Sequence, residues 1–270
     1  MNIPHSDIPP ILLRVENLEK HFGGIVALSD YHMEIRTGEL VGLIGPNGAG
    51  KTTVFNLLSG VLKPTAGRIY FNGREITHLR PDQNSALGIS RTFQNIRLFN
   101  QMTVAENIKA SFHQRLGCGL WSTLLQIPAY RKSEKKISIE CDKFLELFNL
   151  TPHRNEPARN LPYGVQRRVE IARAMATMPR LLLLDEPAAG LNINETEEMM
   201  ALIRNIHQEY RLTIFLVEHD MRLIMSICQR IQVIDHGHPL AEGRPEAIRK
   251  NPRVIEAYLG KTKEKHHVKN

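Results

Sequence analysis

The segment from Gly45 to Thr53 has the composition and spacing of a phosphate-binding loop. It matches every fixed position of the pattern G-x-x-x-x-G-K-[ST]. The glycines let the backbone curl so that its N–H groups point inward at phosphate oxygens. We expect Lys51 to reach the β- and γ-phosphates of a nucleotide and Thr52 to bind Mg²⁺. The loop residues are Gly45, Pro46, Asn47, Gly48, Ala49, Gly50, Lys51, Thr52 and Thr53.

Two later apolar segments end in side chains that suit the same chemistry. Asp185 and Glu186 follow the run 181–184, and His219 comes just after the run 213–217. In open parallel sheets, ligands bind at the carboxyl ends of the strands. We expect Asp185 to bind Mg²⁺, directly or through water, and Glu186 to act as the base for an attacking water molecule. His219 is expected to donate a hydrogen bond to a terminal phosphate, although lone histidines and strand-end carboxylates also occur as purely structural residues.

The segments around these residues predict an α/β protein. The apolar run 40–44 predicts a buried strand before the loop, and a helix from about Gly50 to Leu58 would point its positive end at the phosphates. Segments 12–18 and 27–35 alternate between apolar and polar residues, which predicts two antiparallel strands joined by a turn. Further strands are predicted at 67–73, with an Asn-Gly turn, and at 181–186, 213–217, 230–235 and 239–242, and further helices at 192–208 and 245–258.

The region from residue 104 to residue 150 is mostly helical in pattern. Thr103 and Glu106 have the spacing of a capping box at a helix start. A short strand before this region ends at Gln94, and another helix is predicted after it from Arg167 to Thr177. We therefore expect a helical lobe inserted into the α/β core.

The composition is that of a globular protein. The chain has 270 residues, of which 42% are hydrophobic, and this is enough for one large domain with a smaller lobe. Cys118, Cys141 and Cys228 are scattered and odd in number, which favours reduced cytosolic thiols over disulfides or a metal site. No apolar stretch approaches the roughly 20 residues of a membrane-spanning helix, and residues 1–10 lack the features of a signal peptide. The net charge of +7 suits nucleic acid, an anionic membrane surface or nucleotide phosphates.

The order of these features resembles the ATP-binding subunit of an ABC transporter over about residues 11 to 260. The features are the phosphate loop, a later glutamine, a glycine-containing helix start, the strand L-L-L-L-D-E and a strand-end histidine. The resemblance implies a P-loop NTPase fold with an N-terminal antiparallel β subdomain and an inserted α-helical subdomain. It places the α/β core at residues 11–94 and 166–260 and the helical subdomain at about 95–165. From its composition we expect the basic tail at 261–270 to be disordered.

The same resemblance implies a role for each candidate residue. Phe22, which its position alone favours as a core residue, becomes the aromatic side chain that stacks on adenine. A segment called the signature would contact the ATP of the opposite subunit, and it comprises Leu161, Pro162, Tyr163, Gly164 and Val165. Gly45 to Thr53 become the Walker A loop for ATP, and Asp185 becomes the Walker B metal ligand. Gln94 becomes the Q-loop residue that senses Mg²⁺ and the transmembrane partner, and Glu186 becomes the catalytic base. Residues 189–192 become the D-loop, and His219 becomes the switch histidine.

Several longer sequence motifs resemble those of the branched-chain amino-acid importers within this family. They include R-T-F-Q-N-I-R-L-F, M-T-V-A-E-N, D-E-P-A-A-G-L-N and the closing V-I-E-A-Y-L-G. Such an ATPase is expected to work with two transmembrane permease subunits, a second and paralogous ATPase subunit in a head-to-tail dimer, and an external substrate-binding protein. It would lie at the cytoplasmic face of the inner membrane and bind no nucleic acid.

The signature departs from the L-S-G-G-Q that is common in this family. Pro162 and Val165 replace the serine hydroxyl and the glutamine amide, whereas Gly164 remains. Because of this change, one alternative is that the chain is a binding module that no longer hydrolyses ATP, although the predicted catalytic residues are intact. Two more protein classes share the core motifs, namely the ATPase of a lipopolysaccharide-type exporter and a soluble ABC ATPase of DNA repair or translation.

Overall fold

The structure, a computed structural model, describes residues 9–116 and 128–264. Its internal contacts divide the chain into two compact units. The first unit contains the residues up to Asn84 and those from Ile206 onward, and the second unit contains Ser85–Asn205. These bounds differ from the predicted domain bounds at residues 94 and 166, which stay a prediction.

An antiparallel sheet in the first unit contains the predicted N-terminal strands. Neighbouring strands follow the order β2 (Ile25–Arg36), β1 (Ile11–Phe22), β4 (Ala66–Phe71) and β5 (Arg74–Glu75). In β1, inward residues such as Leu13 and Val15 alternate with more exposed ones. Asn72 and Gly73 both have positive φ, at 50° and 78°, which confirms the predicted Asn-Gly turn between β4 and β5.

A second group of strands in this unit carries the phosphate loop. β3 (Leu40–Ile44) pairs in parallel with β8 (Thr213–Val217) and with β9 (Arg230–Asp235), and β10 (His238–Gly243) pairs antiparallel with β9. All five residues of β3 and all five of β8 are buried. Continuous burial is expected for parallel strands covered on both faces, which explains their unbroken apolar sequences.

The helices of the first unit correct one prediction. The sequence predicted a single helix over 245–258, but the structure has two, α8 (Pro245–Lys250) and α9 (Pro252–Glu264). They are separated at Asn251, whose ψ of 118° is extended, because a residue before proline is disfavoured in the α region. α9 continues four residues into the predicted tail, and residues 265–270 lie outside the described residues. The other helices that lie wholly in this unit are α1 (Lys51–Leu58) and α7 (Met221–Ile227).

The second unit combines two parallel strands with helices. Its strands are β6 (Ile89–Arg91) and β7 (Leu181–Asp185). The predicted capping box is confirmed, because Glu106 N–H donates to Thr103 Oγ1 at 3.2 Å and Thr103 N–H donates to the Glu106 carboxylate at 2.8 Å. The helices are α3 (Val104–Leu116), α4 (Pro128–Leu147) and α5 (Tyr163–Ala176), and α2 (Pro81–Leu87) and α6 (Ile193–Tyr210) have residues in both units.

The start of α5 differs from the predicted start at Arg167. The helix begins at Tyr163, with Pro162 as its N-cap residue at φ −54°. Proline is favoured at a helix start because its fixed φ suits the helix and its missing N–H is not needed there. Most of the signature therefore forms the first turn of α5 rather than a loop before it.

Two predictions from composition can be checked in the described part of the chain. Cys141 and Cys228 are free and buried, whereas Cys118 lies outside that part. No helix within it is long and apolar enough to cross a bilayer.

Arg230 of β9 joins β10 and the turn before β3 through its guanidinium group. Its Nε and Nη2 donate to the two carboxylate oxygens of Glu39, both at 2.7 Å, and its Nη1 donates to Glu242. Burial raises the pKa of Glu39, but the hydrogen bonds from Arg230 and from the Arg36 N–H outweigh burial, so the pKa lies below its ordinary value of 4.5. The ion pair therefore stabilises the folded chain at pH values above the ordinary pKa of Glu39. This stabilisation is lost as the pH falls through the lower pKa that Glu39 has in the folded chain.

We predict that Glu39→Gln flattens the acid side of the stability profile. The variant keeps the shape of the side chain but loses its charge, so it should be less stable by about 1–2 kcal/mol at neutral pH. Urea unfolding followed by circular dichroism between about pH 6 and pH 3 measures this. The difference from the parent should shrink as the pH falls below 4.5, and a difference that stays constant over this range would contradict the prediction.

Candidate active site

The phosphate loop follows β3 and lies against neighbouring backbone so closely that side chains are excluded. A Cβ atom at Gly45 would lie 2.1 Å from the carbonyl oxygen of Ile234, and one at Gly50 would lie 2.9 Å from that of Ala27. Gly50 also has φ 106°, in the left-handed region that favours glycine. The predicted turn of backbone N–H groups is thus possible only with glycine at these two positions.

Lys51 and Thr52 begin α1 at the end of this loop. The Lys51 side chain is buried, and its Nζ donates to the carbonyl oxygens of Gly45 at 2.6 Å and Pro46 at 3.0 Å. Its charge therefore lies within the curve of the loop. Thr52 is exposed at the N-terminus of the helix, where backbone N–H groups and the helix dipole favour anions. These features fit a polyphosphate chain, and the roles of Lys51 and Thr52 stay a prediction.

His219 lies at the same edge of the parallel strands as the loop. β3 and β8 run in parallel, so Gly45, which follows β3, and His219, which follows β8, both come after carboxyl ends. The imidazole is 61% exposed, and its Nδ1 lies 3.7 Å from Oε2 of the buried Glu218. The ring is thus accessible to a ligand while one side faces a carboxylate.

Phe22 ends β1 with its ring partly in solvent. The side chain is 46% exposed, and Lys20 Nζ lies 5.0 Å from the ring centroid. The interpretation of Phe22 as a core residue is therefore wrong. An exposed aromatic face is what stacking on a base requires.

The second unit brings together Asp185, Glu186 and Gln94. Asp185 ends β7, and its buried carboxylate accepts from Arg91 Nη2 at 2.7 Å. Glu186 has φ 49°, which is uncommon for a residue with a side chain and often marks a functional position. Gln94 Nε2 donates to Glu186 Oε2 at 3.3 Å. The predicted base and the predicted Q-loop glutamine are therefore hydrogen-bonded partners.

The signature and the D-loop are neighbours within the second unit. The Tyr163 ring lies 3.1 Å from where a Cβ atom at Gly190 would be, and a Cβ atom at Gly164 would lie 2.9 Å from Glu195 Oε1. Asn192 and Glu195 each accept a hydrogen bond from the other's backbone N–H, both at 3.0 Å. This reciprocal cap fixes the start of α6 beside the signature.

Three charged residues near this group were missed in the sequence. Arg91 pairs with Asp185, and Arg167 and Glu170 on α5 bond to each other and to the backbone around Gln94. Their signal was weak, because an arginine and a glutamate three positions apart on a helix are usually a surface pair. The buried positions are apparent only from the fold.

Comparison with known proteins identifies the family. Residues 28–189 match the family model described as ABC transporter. The chain belongs to the ABC transporter family. Residues 238–264 match a second model of this family, described as Branched-chain amino acid ATP-binding cassette transporter. The predicted resemblance and the predicted fold class are confirmed, and so is the prediction that the chain is an ATP-binding ATPase.

Individual members of the ABC transporter family are similar over nearly the whole chain. The "High-affinity branched-chain amino acid transport ATP-binding protein LivG" of Salmonella typhimurium is 50% identical over 92% of this chain and 98% of its own length. The ADP conformation of MJ1267, an ATP-binding cassette of an ABC transporter, is 30% identical with a TM-score of 0.79 over 93% of this chain and 99% of that one. The dimeric structure of MJ0796, a bacterial ABC transporter cassette, is 26% identical with a TM-score of 0.74 over 87% and 99%.

We predict that Lys51→Ala weakens ATP binding by the isolated chain. The variant loses a charged hydrogen bond worth about 1.5–3 kcal/mol, so binding should weaken by about 10- to 100-fold in isothermal titration calorimetry. Lys250→Ala, at the exposed end of α8, is the matched control and should bind as the parent does. Equal affinity in Lys51→Ala and the parent would exclude a role for Lys51 in holding phosphates.

Proposed function

We propose that this chain is the ATPase subunit of an importer for branched-chain or related amino acids. The observation that carries the proposal is the 50% identity to a branched-chain amino acid transport ATP-binding protein over 92% of the chain. The match of residues 238–264 to the branched-chain amino acid model supports the same substrate class. It favours an importer over a lipopolysaccharide-type exporter and over a soluble, non-transport ABC ATPase.

In this function the phosphate loop binds ATP through its backbone N–H groups and Lys51. The ammonium group is already held inside the loop by two carbonyl oxygens, so it can turn to the β- and γ-phosphates without a large change of the backbone. The exposed ring of Phe22 stacks on the adenine. His219 donates a hydrogen bond to the terminal phosphate from the end of β8.

Glu186 acts as the base that accepts a proton from the attacking water molecule. Gln94, which is hydrogen-bonded to Glu186 in the structure, orients that carboxylate. Mg²⁺, when bound, would supply positive charge that stabilises the phosphates. In the second unit, Asp185 and Gln94 would hold it through oxygen atoms, the ligand type that Mg²⁺ prefers, and Thr52 in the first unit carries a hydroxyl oxygen of the same type. Arg91 keeps the Asp185 carboxylate in place through the 2.7 Å hydrogen bond.

The subunit works in a head-to-tail dimer with a second, paralogous ATPase. The signature at the start of α5 then contacts the ATP held by the partner, and residues 189–192 lie beside it in the same unit. Similarity to a cassette with a dimeric structure supports this arrangement. Two permease subunits and an external substrate-binding protein complete the transporter. This chain is peripheral, at the cytoplasmic face of the inner membrane.

ATP binding and hydrolysis then act as a cycle of population shifts. ATP held between the two ATPase subunits favours the closed dimer, and hydrolysis removes that preference. The membrane subunits change between inward- and outward-facing states with this cycle. The altered signature keeps Gly164, the position where a side chain would meet Glu195.

We predict that Glu186→Gln stops hydrolysis and transport while ATP binding persists. Glutamine keeps the shape and the hydrogen bond to Gln94 but cannot accept a proton, and loss of a general base costs about 10²- to 10⁴-fold in rate. The transporter with its permeases and binding protein is placed in vesicles. Phosphate release and uptake of labelled leucine, isoleucine and valine are then measured, and the ATP-bound dimer is detected by size exclusion.

The matched control is Glu197→Gln, which changes an exposed carboxylate on α6. Its rate and uptake should equal those of the parent. Hydrolysis by Glu186→Gln at the parent rate would contradict the role of Glu186. Normal hydrolysis in the parent without uptake of any of the three amino acids would contradict the substrate class.

A further inference from the structure

Arg167 is a buried cation on α5 that bonds the backbone just after β6. Its side chain is 1% exposed. Nη1 donates to the carbonyl oxygen of Phe93 at 2.8 Å, and Nη2 donates to the carbonyl oxygen of Gln94. One planar guanidinium therefore donates from two separate nitrogens to two consecutive carbonyl groups, and lysine, with its single nitrogen, lacks this fixed fork.

Glu170 binds the same backbone from one turn further along α5. Its Oε1 accepts the Phe93 N–H at 3.1 Å, and its Oε2 accepts Arg167 Nη1 at 2.9 Å. Burial raises the pKa of Glu170, while the N–H groups of Phe93 and Arg97 and the charge of Arg167 act in the opposite direction. Phe93 is thus held at both its N–H and its carbonyl group by two side chains of one helix.

The pair connects the start of α5 with the predicted base. At one end, the Arg167 guanidinium lies 5.5 Å from the ring centroid of Tyr163, in the signature. At the other end, the carbonyl group of Gln94 is held by Arg167 while its side chain donates to Glu186. A shift of α5 would therefore move the residue that orients Glu186.

Stability alone gives a weak reason for this pair. Burying two charges carries a large desolvation cost, and apolar residues of similar volume often replace such pairs without loss of stability. Arg167 and Glu170 direct their hydrogen bonds to the 93–94 backbone rather than to distant parts of the core. What an apolar pair could not supply is a fixed position for that backbone.

We propose that Arg167 and Glu170 are positioning residues that lock the backbone of Phe93 and Gln94 to α5 and so aim the Gln94 side chain at Glu186. The inference rests on the proposed function in one respect, the role of Glu186 in hydrolysis. The lock itself is a property of the second unit and can be measured without ATP.

The kinetic test compares Arg167→Lys with Arg168→Lys. Lysine at 167 keeps the charge but loses the fork, and misplacement of a catalytic group by about 1 Å can cost about 100-fold. We expect kcat for ATP in the assembled transporter to fall at least about fivefold with little change in KM, because the hydrogen bonds of Arg167 go to Phe93, Gln94 and Glu170, which act on the aim of the base. Arg168 pairs with Glu198 on α6 instead, so Arg168→Lys should keep the parent kcat. A smaller fall in Arg167→Lys overturns the proposal.

A double variant separates positioning from stability. Arg167→Met with Glu170→Leu removes both charges at similar volume, which leaves no unpaired buried ion. We expect the double variant to melt near the melting temperature of the parent but to have a lower kcat than the parent. If the double variant has the kcat of the parent and also its melting temperature, the proposal is overturned. If the double variant does not fold, the decision rests on Arg167→Lys and on exchange in Glu170→Gln.

The structural test follows hydrogen exchange of the Phe93 and Gln94 amides in the chain without nucleotide. Glu170→Gln keeps an oxygen near the Phe93 N–H but loses the charged pair with Arg167, so a peptide covering 92–95 should exchange faster than in the parent. Arg168→Lys should leave this peptide unchanged. Parent-like exchange in both Glu170→Gln and Arg167→Lys overturns the lock.

The two proposals fail in distinguishable ways. If Glu186→Gln is inactive while Arg167→Lys and the double variant keep the parent kcat, the positioning role is wrong and the proposed function stands. If Glu186→Gln hydrolyses ATP at the parent rate, the role of Glu186 is wrong, and the exchange experiment alone decides whether the backbone is locked.

Discussion

The close approach of the phosphate loop to its neighbours is the constraint on which the nucleotide site depends. Gly45 and Gly50 lie against the carbonyl groups of Ile234 and Ala27, with no room for a Cβ atom at either position. This packing forces the chain to curl directly after β3, and the curl encloses Lys51. The charge for the phosphates is thus positioned by backbone packing before any ligand binds, which reduces the cost of ordering the loop on binding.

In the second unit, hydrogen bonds from buried arginines fix the positions of a carboxylate and of a backbone segment. Arg91 holds Asp185, and Arg167 with Glu170 holds the segment that carries Gln94. Arginine suits this use because its planar fork donates in several fixed directions. The phosphate loop and the segment that carries Gln94 are therefore fixed in different ways, the first by close backbone contact and the second by charged hydrogen bonds.

Much of the fold could be predicted because its signals are local. The loop pattern, the buried strand before it and the capping box at Thr103 each depend on neighbours within a few residues. The break at Asn251 was missed although the following proline is a local signal of a helix boundary. The start of α5 at Tyr163 was missed because Pro162 and Gly164 are residue types that also favour a loop.

The partners of the site residues could not be predicted from the sequence. Arg167 lies 73 residues from Gln94, and Arg91 lies 94 residues from Asp185. Pairings of this kind depend on how β6, β7 and α5 pack, and no local pattern records that. Phe22 shows the converse case, since its exposure, which decides between a core and a stacking role, is a property of the folded chain.

The most direct test of the central claim is hydrogen exchange in the phosphate loop of the isolated chain with Mg²⁺ and either ATP or AMP. If the backbone N–H groups of residues 47–52 hold the β- and γ-phosphates, ATP will slow exchange in a peptide covering 45–53, and AMP, which lacks those phosphates, will not. Absence of slowing at saturating ATP, or equal slowing by AMP, would contradict the claim that this loop binds the polyphosphate chain.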